Sequence, residues 1–241
     1  FKKAWVSLPG GCAIGSRPIV LHLKGLQERG VEIELNEGYI NARVDIFRPA
    51  EIYLDFPSVG ATCQLIMAAV LVNGKSKILN AAREPEVVDL CDFLNTAGAK
   101  IYGIGTNVIE VEGVDELYGI EYSVLPDRIE TGSFLILGAA VSHRLKITQC
   151  LTEHVTSVID KLIEMGVEIE KNRDSILVNG LSRGLPTDIK TLPYPGFPTD
   201  LQAPIMSYLS VARGSSIVQE TIFERRFGHV PELRRLGADI S

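Results

Sequence analysis

The sequence predicts an α/β fold of repeated units, with helices buried on the inside and sheets on the outside. Three observations lead to this fold. An amphipathic helix that ends on Gly and runs into a strand occurs four times, and its glycines (Gly30, Gly98, Gly166, Gly237) are 68, 68 and 71 residues apart. The helix that leads each of the later repeats is apolar on nearly every side, so it should be surrounded by protein. The other has a single apolar face and should cover a buried element.

The second repeat shows the order of elements most fully. We expect an apolar helix over 60–72, a strand over 76–80, an amphipathic helix that includes Val87 and Leu94, and short strands near Tyr102 and over 108–111. The ranges 132–141 and 201–212 repeat the apolar helix, and the residues from Val155 to Ile163 repeat the amphipathic one. Each repeat Gly should adopt the left-handed conformation that ends a helix.

A domain boundary is expected near residues 122–126, where one repeat is complete and Pro126 begins the next. Residues 1–125 are therefore interpreted as part of a first domain and residues 126–241 as the first part of a second. The first repeat lacks its leading apolar helix, and the last repeat stops soon after Gly237. This pattern predicts that both ends of the complete protein are missing.

Composition and charge exclude several classes of partner. The net charge is −6, and no basic run exceeds two residues, so nucleic acid is not expected. The apolar stretches are shorter than the roughly 18–20 residues that span a bilayer, so no membrane partner is expected. The four cysteines contain no CxxC and the four histidines share no spacing, so no metal site is expected. Such cysteine usage indicates the cytoplasm.

Residues 8–18 form a Gly- and Pro-rich loop around Cys12 and Arg17. A thiol beside a cation on such a loop can have a lowered pKa, which makes it a candidate nucleophile or acid/base. The alternative is an unreactive loop cysteine. The other cysteines, Cys63, Cys91 and Cys150, lie on apolar faces and are predicted to belong to the core.

Two further segments stand just before apolar helices. The small residues of 57–62 allow backbone N–H groups at the helix start to face a phosphate, whereas the alternative makes Ser58 an ordinary N-cap. Asp200 occupies the same place in its own repeat. Its carboxylate can act as a general base towards a hydroxyl, or it can cap a helix.

Six motifs occur along the whole chain: PGGCAIGSRP, PSVGAT, NAAREPE, LPDRIETG, PGFPTD and FERRF. Their order and spacing resemble those of the UDP-N-acetylglucosamine enolpyruvyl transferases, a branch of the EPSP synthase family. The resemblance implies an inside-out α/β barrel of six repeated units in two domains. The Cys12 loop distinguishes this branch from the shikimate-pathway relative, 5-enolpyruvylshikimate-3-phosphate synthase.

The resemblance also implies a reaction. The enolpyruvyl group of phosphoenolpyruvate would move to the 3′-hydroxyl of UDP-N-acetylglucosamine with release of phosphate, as the first committed step of peptidoglycan synthesis. These small molecules are the implied partners, and no metal or organic cofactor is implied. The expected location is the cytoplasm, or the plastid stroma if the source is a plant. The alternatives are the shikimate-pathway relative and a catalytically inactive fragment or remnant that binds nucleotide sugar.

Roles for individual residues follow from the same resemblance. Cys12 would protonate the phosphoenolpyruvate methylene, form a covalent adduct and be alkylated by fosfomycin, and Asp200 would accept the proton of the sugar hydroxyl. The implied substrate-binding residues are Arg17 at the phosphate, Pro18, Ile19, Val20 and Leu21 around the uracil, Ser58, Val59 and Gly60 in the nucleotide-binding loop, Ile222 at the acetamido sugar, and Arg226. Val20 stands where the family commonly has Asp, and Arg225 and Gly228 interrupt the usual Asn-Arg-Phe-Met run.

Overall fold

The computed structural model describes residues 2–8, 19–141 and 144–241, which form two compact units that divide after Leu125. The elements of the first unit are β1 (Lys3–Ser7), α1 (Val20–Glu28), β2 (Glu32–Asn36), β3 (Tyr39–Arg43), β4 (Glu51–Tyr53), α2 (Val59–Ala69), β5 (Lys75–Leu79), α3 (Pro85–Thr96), β6 (Lys100–Tyr102) and β7 (Val108–Glu112). The elements of the second unit are α4 (Arg128–Ala140), β8 (Arg144–Thr148), α5 (Thr156–Glu164), β9 (Glu168–Lys171), β10 (Ser175–Asn179), β11 (Ile189–Lys190), α6 (Gln202–Leu209), β12 (Val218–Gln219) and α7 (Val230–Arg235). Short 3₁₀ turns over Thr152–Val155 and Thr199–Leu201 lead into α5 and α6.

Three sheets repeat one topology. Their strand orders are β1-β3-β2, β5-β7-β6 and β8-β10-β9, so the last strand of each repeat lies in the middle and runs antiparallel to both neighbours. β4 joins the second sheet parallel to β5, with Ile52 opposite Ile78. β11 pairs with β12 in the same way, with Ile189 opposite Val218. The predicted order of helix, strand, helix, strand, strand is confirmed.

The repeat glycines end their helices as predicted. Gly30, Gly98, Gly166 and Gly237 have φ values of 89°, 105°, 86° and 98°, a region that side chains disfavour. In each case the next residue donates its N–H to a carbonyl of the preceding helix, as Val31 does to Leu26. This bonding satisfies carbonyl groups that a helix end otherwise leaves without a partner.

The start of α4 differs from the prediction, because the helix begins at Arg128 and not at Gly132. The Asp127 carboxylate accepts hydrogen bonds from the N–H groups of Ile129 at 2.7 Å and Glu130 at 3.2 Å, which caps the helix. The polar first turn of α4 contributes little to the apolar pattern from which its start was predicted. α2 and α6 end three residues earlier than predicted.

The apolar helices supply the centres of the two cores. Leu65 and Ile66 of α2 are fully buried in the first unit, as are Leu135 of α4 and Ile205 of α6 in the second. α1 packs on α2, and α4 packs on α6. The strands on the outside alternate between more and less exposed residues, as β8 and β10 show. This arrangement is the expected inside-out α/β fold.

The prediction that the apolar helices are surrounded by protein is wrong for one face of α2 and one of α4. Half of residues 132–141 are buried, against five of eleven in 155–165, so total burial barely separates the two kinds of helix. They differ in what they expose. α4 exposes Phe134 (46%) and Leu137, its C-cap Val141 is exposed as well, and α2 exposes Met67 (53%). Within the described ranges, no other element covers these faces.

The first sheet holds the chain's single tryptophan. Trp5 on β1 is 77% exposed, and its ring meets that of Tyr39 on β3 edge to face, with 5.3 Å between the centroids. β1 ends at Ser7, five residues before Cys12. This aromatic pair therefore marks the strand that leads into the cysteine loop.

Candidate active site

Asp200 and Arg226 form a close ion pair in the second unit. Asp200 lies in the 3₁₀ turn before α6, and Nη2 of Arg226 donates to its Oδ1 at 2.6 Å. The guanidinium also lies over the Phe223 ring, 5.3 Å from its centroid. The side chain of Asp200 is 50% exposed and that of Arg226 only 16%. The half-buried cation therefore holds a carboxylate that still faces solvent.

The helix-capping alternative for Asp200 is wrong. The N-cap of the turn is Pro198 and that of α6 is Leu201, and neither makes a side-chain capping bond. The carboxylate of Asp200 is engaged with Arg226. Asp200 therefore does not cap a helix in this structure.

Ile222 lies beside this pair along the chain and is half-buried. Its N–H donates to Oε1 of Glu220 at 2.8 Å. The same carboxylate oxygen accepts from the Thr191 hydroxyl at 2.9 Å, and Oε2 accepts from the Thr199 hydroxyl at 2.9 Å. The sequence analysis missed Glu220. A signal was present, since an acidic residue follows directly on a short strand and precedes the FERRF motif.

In the first unit, Ser58 is the N-cap of α2, and its hydroxyl accepts from the N–H of Ala61 at 3.3 Å. The capping interpretation is therefore confirmed for this side chain. Val59 and Leu21 pack on the same core. The ring of His22 lies against Gly60, where an added Cβ would be 3.3 Å from its Cε1, and its Nδ1–H donates to Oε1 of Gln64.

These contacts place the segment from Ile19 to Leu21 beside Ser58–Gly60. Ile19 is the N-cap of α1 without a side-chain bond, and Val20 is the first helical residue. Val20 is exposed, and Leu21 is half-buried. Two groups of residues that the resemblance assigned to the nucleotide thus lie together within one unit.

Cys12, Arg17 and Pro18 lie outside the described residues. The remaining cysteines lie in or against the cores, Cys91 and Cys150 buried and Cys63 half-buried. Burial, with smaller effects of Glu86 and Glu84, raises the pKa of the Cys63 thiol to about 11. Burial likewise raises the pKa of Cys91 to about 12 and raises that of Cys150. These thiols are protonated near neutral pH and are poor nucleophiles.

A groove in the second unit is another candidate binding site. A groove of about 510 Å³ between α5 and the β11–β12 pair is lined by Asp160, Lys161, Asp188, Lys190 and Phe197 among others, and contains none of the predicted site residues. Within the described residues, no group of three or more His, Cys, Asp or Glu could hold a metal ion. In the same part of the chain, no helix is long and apolar enough to cross a membrane.

Comparison with known proteins identifies the family. The model of the EPSP synthase family (3-phosphoshikimate 1-carboxyvinyltransferase) matches residues 1–241. The chain belongs to the EPSP synthase family. Two solved structures have the same fold as this chain. The enolpyruvyl transferase NikO from Streptomyces tendae has a TM-score of 0.84 at 21% identity, covering 98% of this chain and 57% of that one. EPSP synthase from Acinetobacter baumannii has a TM-score of 0.62 at 16% identity, covering 90% and 51%.

Curated relatives are more similar to this chain in sequence than those two structures are. UDP-N-acetylglucosamine 1-carboxyvinyltransferase 1 of Caldanaerobacter subterraneus subsp. tengcongensis is 52% identical over 98% of this chain and 57% of its own length. UDP-N-acetylglucosamine 1-carboxyvinyltransferase of Nitratidesulfovibrio vulgaris strain Hildenborough is 53% identical over 99% of this chain and 57% of its own length. The chain thus spans little more than half the length of these relatives.

Proposed function

We propose that this chain is part of a UDP-N-acetylglucosamine 1-carboxyvinyltransferase, with phosphoenolpyruvate and UDP-N-acetylglucosamine as substrates. One observation carries the proposal: eight relatives of that name are 48–53% identical to the chain over nearly its whole length. Because the chain spans 57% of the relative from Nitratidesulfovibrio vulgaris, the activity is proposed for a longer protein that contains it. The two units would belong to its two domains, and its location would be the cytoplasm, where cell-wall precursors are made.

The reaction requires an acid and a base. Cys12 would donate a proton to C3 of phosphoenolpyruvate while the 3′-oxygen of the sugar bonds to C2 and Asp200 accepts the hydroxyl proton. The bond from C2 to the phosphate oxygen then breaks, and loss of a proton from C3 restores the double bond. The products are the enolpyruvyl ether and phosphate, and no cofactor is needed to balance the atoms.

The described residues support the base assignment. Asp200 is half-exposed and is not used as a cap, and Arg226 fixes one of its oxygens at 2.6 Å. A base that is held in place and reachable by a hydroxyl is what proton abstraction requires. Arg17 would bind the phosphoenolpyruvate phosphate. Pro18 and the neighbouring segments 19–21 and 58–60 would bind the nucleotide, and Ile222 the acetamido sugar.

The test is phosphate release by the complete protein with both substrates present. Asp200→Asn should lower turnover by about 10²–10⁴, because the amide cannot take the proton. The affinity for UDP-N-acetylglucosamine, measured by calorimetry, should change far less, because the amide keeps the size of the carboxylate and can still accept a hydrogen bond.

Different outcomes distinguish the alternatives. Fosfomycin should modify Cys12, and Cys12→Ser should abolish this labelling. Wild-type protein that binds the nucleotide sugar without releasing phosphate would favour an inactive remnant. Turnover with a shikimate phosphate in place of the nucleotide sugar would favour the shikimate-pathway activity.

A further inference from the structure

Glu220 is a half-buried carboxylate that directly follows β12 and on which four hydrogen-bond donors converge. Its Oε1 accepts from the Thr191 hydroxyl at 2.9 Å and from the N–H groups of Ile222 at 2.8 Å and Phe223 at 3.2 Å. Its Oε2 accepts from the Thr199 hydroxyl at 2.9 Å. An ionised carboxylate offers about four lone pairs and no donor, so it matches this set of donors.

The donors belong to three different segments. Thr199 directly precedes Asp200, and Ile222 and Phe223 lead into Arg226. Thr191 is fully buried just after β11, and its hydroxyl also accepts from the N–H of Thr221 at 2.9 Å. One carboxylate therefore fixes both the turn that carries Asp200 and the loop that carries Arg226.

We propose that Glu220 is a positioning residue that sets the placement of the Asp200 carboxylate for proton abstraction. The inference rests on the proposed function, because it assumes that Asp200 is the base. Hydrogen bonds to an ionised acceptor are roughly twice as strong as neutral ones, so four of them restrain both segments. The Asp200–Arg226 pair is joined by a contact of 2.6 Å, and a displacement of either segment would change it.

A double-mutant cycle in the complete protein tests this role. Glu220→Ala should lower turnover by roughly 10- to 100-fold, the effect expected of a misplaced catalytic group. Combined with Asp200→Asn, it should lower turnover little beyond Asp200→Asn alone, because Glu220 acts through Asp200. Glu220→Gln should recover most of the activity, since its amide oxygen accepts the three bonds to Oε1 and its NH₂ group donates to Thr199.

Smaller variants keep the test interpretable if Glu220→Ala does not fold, which circular dichroism would show. Thr199→Val removes a single bond to Glu220 and should also lower turnover without adding to Asp200→Asn. Thr187→Val, at a buried threonine of the same unit that does not bond Glu220, is the matched control and should leave turnover unchanged.

The outcomes separate the two proposals. If wild-type protein releases no phosphate, the proposed function fails and the positioning role fails with it. If wild-type protein is active but the loss of turnover in Glu220→Ala multiplies with that in Asp200→Asn, the positioning role alone is overturned. Where Glu220→Ala does not fold, Thr199→Val takes its place in this comparison. Unchanged turnover in folded Glu220→Ala has the same meaning.

Discussion

Arg29 lies at the end of α1, in the position that Ala97 and Met165 occupy in the next two repeats. It is fully buried. Its guanidinium donates to the Ser76 hydroxyl at 3.0 Å and to the Leu65 carbonyl at 3.4 Å. Its Nε has no hydrogen-bond partner in the part of the chain that the structure describes. Burial lowers the pKa of Arg29, and among the described residues no carboxylate pairs with it. A cation thus stands where the repeat pattern calls for an apolar side chain.

We expect Arg29→Met to stabilise the chain. An apolar side chain of similar length avoids the cost of burying an incompletely bonded charge, and the gain should be about 1–3 kcal/mol. Urea unfolding followed by circular dichroism measures the change. Arg48→Met, at an exposed arginine of the same unit, is the control and should shift stability by less than about 0.5 kcal/mol. A destabilised Arg29→Met would show that its two hydrogen bonds outweigh the burial cost.

The cysteines should react very unequally with iodoacetamide. At pH 8, a thiol with a pKa of about 11, such as Cys63, is ionised to only about one part in a thousand. Peptide mapping after brief exposure should therefore find Cys12 modified and Cys63, Cys91 and Cys150 intact. Labelling of Cys63 should rise only as the pH approaches 11. Equal labelling of Cys12 and Cys63 at pH 8 would contradict both the burial argument and the assignment of Cys12.

At the scale of elements, the helices of the first unit approach one another at Gly25 of α1. A Cβ built there would lie 2.5 Å from Cδ2, 2.8 Å from Cδ1 and 3.2 Å from Cγ of Leu65 on α2. Leu65 is fully buried, so rotation of its side chain cannot relieve all three contacts. This glycine is needed for close packing, although its φ is ordinary.

Gly25→Ala should therefore destabilise the chain by about 1–3 kcal/mol through overpacking, even though Ala favours a helix more than Gly does. The matched control is Gly119→Ala, because Gly119 has no atom within 4 Å of the added Cβ. Urea midpoints of the two variants should move apart. Equal midpoints would mean that α1 and α2 separate easily to admit the methyl group.

Periodicity predicted the elements and the repeat well, because the apolar spacing and terminal Gly of a helix are local features. The start of α4 was missed because its first turn is polar. The bonds of the candidate site were not predictable from the sequence pattern. Thr199 and Glu220 are 21 positions apart, Asp200 and Arg226 are 26 apart, and Thr191 and Glu220 are 29 apart. Only the fold of the repeat brings them together.

At the scale of the whole molecule, each unit combines a well-packed core with an uncovered apolar helix face. On α4 this face consists of Phe134, Leu137 and the C-cap residue Val141, each nearly half exposed. Contiguous exposed apolar side chains usually mark a surface that contacts other protein.

This face should bind the apolar dye ANS. The double variant Phe134→Lys and Leu137→Lys should lower dye fluorescence, because these two nearly half-exposed side chains supply apolar surface to the dye. Ser182→Lys with Ser215→Lys adds the same charge at exposed polar positions and is the control. Equal dye signals in the two double variants would place the dye elsewhere.

The single tryptophan, Trp5, gives the chain a built-in optical probe. Its indole is largely exposed, so its emission should lie close to that of tryptophan in water. It stands on the strand that leads towards Cys12, and the Tyr39 ring lies against it. Any ligand that binds near β1 would change the surroundings of one chromophore. Binding and covalent modification could then be followed in real time without attaching a label.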